Sequence, residues 1–218
     1  MDIYYSRMRY ITADTIVSWE RFYRANFINC LSGFKPVSLI GTANRNGQPN
    51  LGVFSNIVHI GADPALVGYI NRPRPAAPHT ISNIEATGVY TINHIHPDFV
   101  EKAHMTSAKF PEGISEFDKT GLTPEYLEDI SAPFVRESLV KFALELREIV
   151  PISFNDTFLV IGQIIFVALD ESIISADGFL DLDKAGSLCS NGIDGYYTGM
   201  KIGRFSYAKP GLKPHKID

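Results

Sequence analysis

The stretch of this sequence best equipped for chemistry is Asn71-Arg72-Pro73-Arg74 running into Pro78-His79-Thr80-Ile81. A proline-broken loop with two guanidiniums leads into a predicted short helix over 80–87, with Thr80 as its N-cap, Asn83 three residues on and Gly88 just past its end. Free N–H groups and the positive end of the helix dipole favour a phosphate at such a place. Arg72 or Arg74 can add charge-assisted hydrogen bonds, and the Thr80 hydroxyl another. The same residues also fit a surface loop with solvated arginines and an ordinary helix cap, so both readings stand at this point. A second candidate is Asn50-Leu51-Gly52-Val53-Phe54-Ser55-Asn56, which opens a strand. A glycine inside a strand marks either a bulge or the close approach of a ligand.

Other constellations are weaker. His94 and His96 share a strand face and have Asp98, Glu101 and His104 nearby, yet they sit where a strand ends and no second motif completes a metal site. No metal is therefore expected. Asp177, Asp181 and Asp183 lack the glycine and terminal glutamate of a calcium loop. No G-x-G-x-x-G, Walker A, G-x-S-x-G or H-E-x-x-H pattern occurs, which removes the main support for a Rossmann domain, a P-loop NTPase, a serine hydrolase or a zincin. No side chain is singled out as catalytic.

The elements that must position these groups follow from periodicity. Ile16, Trp19, Phe22, Tyr23, Phe27 and Cys30 recur at helical spacing, predicting one helix over 14–31 capped by Thr12 or Asp14 and followed by Gly33. Residues 36–43 are β-rich, Asn46-Gly47 is a hairpin signal, and strands are predicted over 51–60 and 65–70 with a turn at 61–64. A strand over 89–95 precedes a polar excursion, 96–133, with short helices expected around 97–108 and 124–129. Strands over 139–148 and 157–169 and a tyrosine-rich stretch, 196–208, complete the pattern. This order does not alternate as a parallel βαβ fold would. It predicts a mainly β, antiparallel barrel with helical additions, one domain over 1–218 carrying an N-terminal helical extension (1–34) and the excursion.

Bulk properties narrow the function. The 218 residues are 45% hydrophobic and 20% charged, enough for a sizeable core. A net charge of −4 gives no footprint for nucleic acid, though it says nothing against a pocket for one small anion. Cys30 and Cys189 have neither metal nor redox spacing and read as two free thiols rather than a disulfide. The N-terminus lacks the apolar core of a signal peptide, and the most apolar run, 158–169, is shorter than the roughly 20 residues a membrane helix needs. A soluble cytoplasmic protein with no membrane association is expected.

Four segments in order resemble the flavin reductase-like family of FMN-binding split β-barrels, the Greek-key type that includes the DIM6/NTAB flavoproteins. They are GTANRNGQPNLGVFSNIVHIGADPALVGYINRPR, HTISNIEATGVYTINHI, AHMTSAKFPEGISEFDKTGLTPE and NGIDGYYTGMKIGRFSYAKPG, and the likeness spans about residues 36–210. The resemblance implies a homodimer with one FMN per subunit near the interface. It implies that Asn50, Val53, Phe54, Ser55 and Asn56 line the isoalloxazine and ribityl chain, and that Asn71, Arg72, His79 and Thr80 hold the phosphate. Ser107 and Tyr197 are carried over as further flavin contacts, from either subunit. The proline-rich loop and the added N-terminal helix depart from the simplest members.

The activity so implied is hydride transfer from NADH or NADPH to flavin, then delivery of electrons to an acceptor such as free flavin or a partner monooxygenase. The flavin carries the chemistry, which agrees with the absence of a triad. The principal alternative is a non-enzymatic FMN-binding electron carrier or redox sensor. A pyridoxine-phosphate oxidase and a cofactor-free interaction module rank below it.

Overall fold

The computed structural model describes residues 8–111 and 113–218, so the first seven residues of the predicted extension lie outside the described residues. Two helices, α1 (Ala13–Ser18) and α2 (Arg21–Leu31), stand where one was predicted. Trp19 is extended (φ −69°, ψ 151°), and the Glu20 carboxylate accepts from the N–H groups of Phe22 at 2.8 Å and Tyr23 at 3.1 Å. That carboxylate satisfies donors that would otherwise be orphaned at a new helix start. Thr12 caps α1. No residue of either helix is buried, so the periodic apolar face does not join the core of its own chain. Trp19 packs edge-on against Tyr23 and Phe27 instead.

Five strands follow: β1 (Lys35–Pro36), β2 (Ser38–Ala43), β3 (Pro49–Phe54), β4 (Ile57–Ala62) and β5 (Ala65–Asn71). Next come α3 (Pro78–Thr87) and β6 (Val89–His94). The excursion holds α4 (Val100–Met105), α5 (Glu116–Thr120) and β7 (Pro124–Glu125), and β8 (Phe134–Val135) follows directly after it. Two long strands, β9 (Val140–Ile152) and β10 (Thr157–Leu169), and a terminal pair, β11 (Leu188–Asn191) and β12 (Gly195–Thr198), complete the chain.

Seven strands make one antiparallel sheet in the order β3-β2-β6-β9-β10-β5-β4. Its two edges, β3 and β4, are consecutive in the chain and joined only by Ser55 and Asn56. Three Cα steps cover at most about 11 Å, so the edges meet there and the sheet has curled into a barrel split between β3 and β4. The single strand predicted over 51–60 is therefore two strands on opposite edges. The Asn46-Gly47 hairpin is present, with Gly47 at φ 78°.

Inside the barrel pack Ile40, Tyr69, Tyr90, Ile92, Leu144 and Val160, with Ile81 and Ile84 of α3 joining the same cluster. Outside it, Leu39 and Leu51 meet Phe99, Phe117 and Val135, which binds the excursion to the sheet through a shared core. Gly41 is required at this junction, since a Cβ there would stand 2.1 Å from the Pro133 carbonyl oxygen. The second predicted excursion helix, around 124–129, is absent. The helix is α5 instead, started by Ser115, whose hydroxyl accepts from Phe117 N–H, and stopped by Gly121 at φ 68°. Pro124 and Glu125 pair with Val135 and Phe134. No helix among the described residues is long and apolar enough to cross a membrane.

Candidate functional site

A cavity of about 360 Å³ opens beside the barrel's seam. Its walls are β3 with the Ser55-Asn56 link, the loop from Arg72 into α3, the excursion, and the small sheet β1-β11-β12. Asn50, Val53, Phe54, Ser55, Asn56, Arg72, His79, Thr80 and Ser107 all line it.

Asn71 and Tyr197 do not. Asn71 is fully buried at the end of β5, donating from Nδ2 to the Arg72 carbonyl at 2.7 Å while its Oδ1 takes no hydrogen bond. Tyr197 packs edge-on against Phe34, with ring centres 4.8 Å apart, and remains 44% exposed. Side chains alternate along a strand, and it is the neighbouring Tyr196 that lines the cavity.

The helix beside the cavity begins two residues earlier than predicted. Pro78 occupies its first turn, Ala77 stands at the cap and offers no side-chain acceptor, and Gly88 ends it at φ 76°. Proline has no N–H to orphan there, while the next main-chain donors have no acceptor within the helix. Thr80 is thus not a cap. It lies in the first turn, nearly buried, and its hydroxyl accepts from Asn50 Nδ2 at 3.3 Å. Asn50 Nδ2 also reaches Thr42 Oγ1 at 3.2 Å, and Asn83 Nδ2 reaches the same oxygen at 3.1 Å. Strand β3 and α3 are therefore laced together at the cavity wall.

The two arginines separate in role. Arg74 grips the Glu85 carboxylate and lies 5.0 Å from the Phe158 ring centre. Arg72 lines the cavity and has no carboxylate partner among the described residues. Lys109 and His79 are the other basic groups in the wall.

Sequence reasoning missed Glu116, Tyr196 and Ser190, all in the wall. The Glu116 carboxylate accepts from the Leu51 N–H at 2.9 Å, covering a donor of edge strand β3. Burial pushes its pKa above the usual carboxylate range, against the pull of that N–H, its own N–H and the charge of His79. The Tyr196 hydroxyl lies 3.0 Å from His104 Nδ1, and burial, then the charge of Asp194, raises the phenol's pKa. Ser190 is buried and its hydroxyl has no partner among the described residues, an orphan that a ligand in the cavity can satisfy.

The histidines are otherwise engaged. His94 Nδ1 lies 2.9 Å from Ser187 Oγ, and burial lowers the ring's pKa to about 4. His96 faces Asp98 at 3.4 Å. No group of three His, Cys, Asp or Glu side chains among the described residues could hold a metal. Cys30 and Cys189 are both free thiols.

This donor set fits a flavin nucleotide. A helix start beside a guanidinium that has no carboxylate partner among the described residues suits a phosphate. Gly52 exposes the edge of β3 without a side chain, the nearest atom to a Cβ there being 3.1 Å away on the Phe54 ring. Phe54 and Val53 offer apolar contact, and Ser190 an unmatched polar group.

Known proteins share both the sequence pattern and the fold. Residues 34–182 match the model of the flavin reductase like domain. A flavin reductase candidate with a split-barrel domain from Shewanella frigidimarina is 45% identical, with a TM-score of 0.89 over 92% of this chain and 100% of that one. Component B of nitrilotriacetate monooxygenase from Bacillus cereus shares the fold at 18% identity, with a TM-score of 0.78 over 89% and 96% of the two chains. Flavoredoxin of Desulfovibrio vulgaris is 25% identical, with a TM-score of 0.67 over 82% and 91%. The chain, split barrel and cavity together, belongs to the flavin reductase-like family.

Proposed function

We propose that the protein binds one FMN in this cavity and acts as an NAD(P)H-dependent flavin oxidoreductase. The observation that carries the reading is that Arg72, with no carboxylate partner among the described residues, and the uncapped start of α3 line the same cavity. Arg72, His79 and Thr80 hold the phosphate, and Asn71 sets the loop through its bond to the Arg72 carbonyl. Asn50, Val53, Phe54, Ser55 and Asn56 face the ribityl chain and ring, with Ser107, and Tyr197 of either subunit, at the periphery. A flavin held by these residues would supply the two-electron chemistry, with NADH or NADPH as the hydride donor. The chain orients it, excludes water from one face and supplies main-chain donors to its polar edge. No side chain is assigned a proton transfer.

The apolar faces of α1 and α2, exposed at Val17, Phe22, Tyr23 and Leu31, support a homodimer. Two free thiols fit a reducing, cytoplasmic compartment. The likeness to a monooxygenase component supports a partner monooxygenase as one acceptor. The likeness to flavoredoxin supports a second reading, an FMN electron carrier or sensor without turnover.

Visible spectra of the purified protein with FMN, before and after anaerobic NADH or NADPH, test both readings. Flavin bands that bleach with one nucleotide support the reductase. Bands that persist support the carrier, and a protein that takes up no FMN refutes both.

A further inference from the structure

Among the described residues lining the cavity, Glu116 is the one that carries a carboxyl group. It is an odd group to find in a cavity otherwise suited to an anion, and it is held firmly. Leu51 N–H, on the next residue after Asn50, fixes one oxygen at 2.9 Å. Asn50 in turn holds the Thr80 hydroxyl in the first turn of α3. The carboxylate is thus anchored one residue along β3 from the phosphate end of the site. Among the described residues, the donors that reach it are two main-chain N–H groups, that of Leu51 and its own.

A carboxylate has about four acceptor sites and, when ionised, donates nothing. Two main-chain donors leave capacity unused, in a wall where a ligand's hydrogens are the remaining source. The ligand section that adjoins a phosphate in FMN is the ribityl chain, whose hydroxyls are donors. Charge alone would set Glu116 against the phosphate, but the wall also carries the guanidinium of Arg72 and the ammonium of Lys109 for that phosphate to meet.

We infer that Glu116 is the ribityl reader of the cavity, accepting hydrogen bonds from the chain's hydroxyls and so selecting flavins that carry a polyol chain. The inference rests on the FMN reading and deepens it. The burial that raises its pKa also strengthens any hydroxyl bond it accepts.

The test compares FMN with an analogue in which an unsubstituted pentyl phosphate replaces the ribityl phosphate, so that the phosphate anchor is kept. Dissociation constants of both are measured by flavin fluorescence for the parent protein, Glu116→Ala and Glu116→Gln. In Glu116→Ala, FMN should weaken at least about tenfold and the analogue less than about twofold, the loss of a charge-assisted hydrogen bond. Should the alanine variant fail to fold, Glu116→Gln keeps an acceptor for Leu51 N–H and should show the same discrimination at about threefold. Equal weakening of both ligands overturns the inference and makes the carboxylate only a cover for the edge of β3. No weakening of FMN, with a raised Michaelis constant for NADH or NADPH, overturns it in favour of a nucleotide ribose. If the parent protein binds neither flavin, the FMN reading itself has failed.

Discussion

Arg74 and Glu85 form a two-pronged ion pair, Nη1 to Oε2 at 2.8 Å and Nη2 to Oε1 at 2.5 Å, which ties the proline-rich loop to the flank of α3. That pair occupies Arg74, whereas its neighbour Arg72 has no carboxylate partner among the described residues. It holds Glu85 below and Arg74 above its ordinary pKa, chiefly through the hydrogen bonds between them. Arg72→Ala should therefore raise the FMN dissociation constant about 10- to 100-fold, as expected for a lost charge-assisted contact, and leave riboflavin little changed. Arg74→Ala should change FMN affinity less than about threefold and cost under about 1 kcal/mol, because both partners are some 40% exposed. Titrations with FMN and riboflavin, alongside urea denaturation, check both outcomes.

Thr80 supplies the acceptor that joins β3 to α3. Thr80→Val keeps its volume and removes that acceptor, at a cost of about 1–2 kcal/mol. FMN binding should fall with it, because the strand and the helix start no longer share a hydrogen bond. Thr80→Ser should restore both stability and binding. A valine variant with parental melting and parental FMN affinity would count against this link.

Gly41 sits where the excursion crosses β2. A methyl group there would meet the Pro133 carbonyl oxygen, which already accepts from Thr91 Oγ1 at 2.6 Å. Backbone cannot swing aside as a side chain does, so Gly41→Ala should cost about 3 kcal/mol or more. In a chain of this size that lowers the melting temperature by roughly 10 °C, readable by calorimetry.

His94 gives the fold a pH dependence. Burial lowers its pKa to about 4 from an unfolded value of about 6.5. Between those values the unfolded chain binds the extra proton, so stability is fully present above about pH 6.5 and declines as pH falls toward 4. The contribution is at most about 3 kcal/mol. His94→Gln should flatten the stability profile across that window in denaturant titrations at stepped pH. A profile equally steep in the variant would assign the slope to other groups.

Much of this arrangement was legible from residue order. The hairpin at Asn46-Gly47, the glycine stop at Gly88 and the long β-branched strand Thr157–Leu169 each carry local signals strong enough to survive tertiary context. The gathering of β3, the arginine loop and α3 around one cavity is of another kind: local signals offered two separate candidates, and only the family resemblance placed them at one site. What escaped depends on long-range contact or on phase. Ser55-Asn56 is a corner in a run whose composition stays strand-like on both sides, and only the curling of the sheet exposes it. Glu116 meets Leu51 across 65 residues, a contact no local pattern encodes. Tyr196 and Tyr197 differ only in which face of a four-residue strand they take, and alternation without an anchor leaves that phase undetermined. Ser115 and Gly121 bound α5, whereas the helix was expected at 124–129, where Pro124 and Glu125 instead pair with β8.

The seam at Ser55-Asn56 makes the cavity part of the barrel's mechanics. The other neighbouring strands of the sheet are stitched by ladder bonds; its two margins, β3 and β4, are joined by the short covalent strap Ser55-Asn56, which is pinned on the β5 side by the Ile70 N–H to Asn56 carbonyl bond of 3.2 Å. A ligand that touches both this strap and α3 would couple the two margins, so its binding is expected to slow hydrogen exchange along β3 and β4 together.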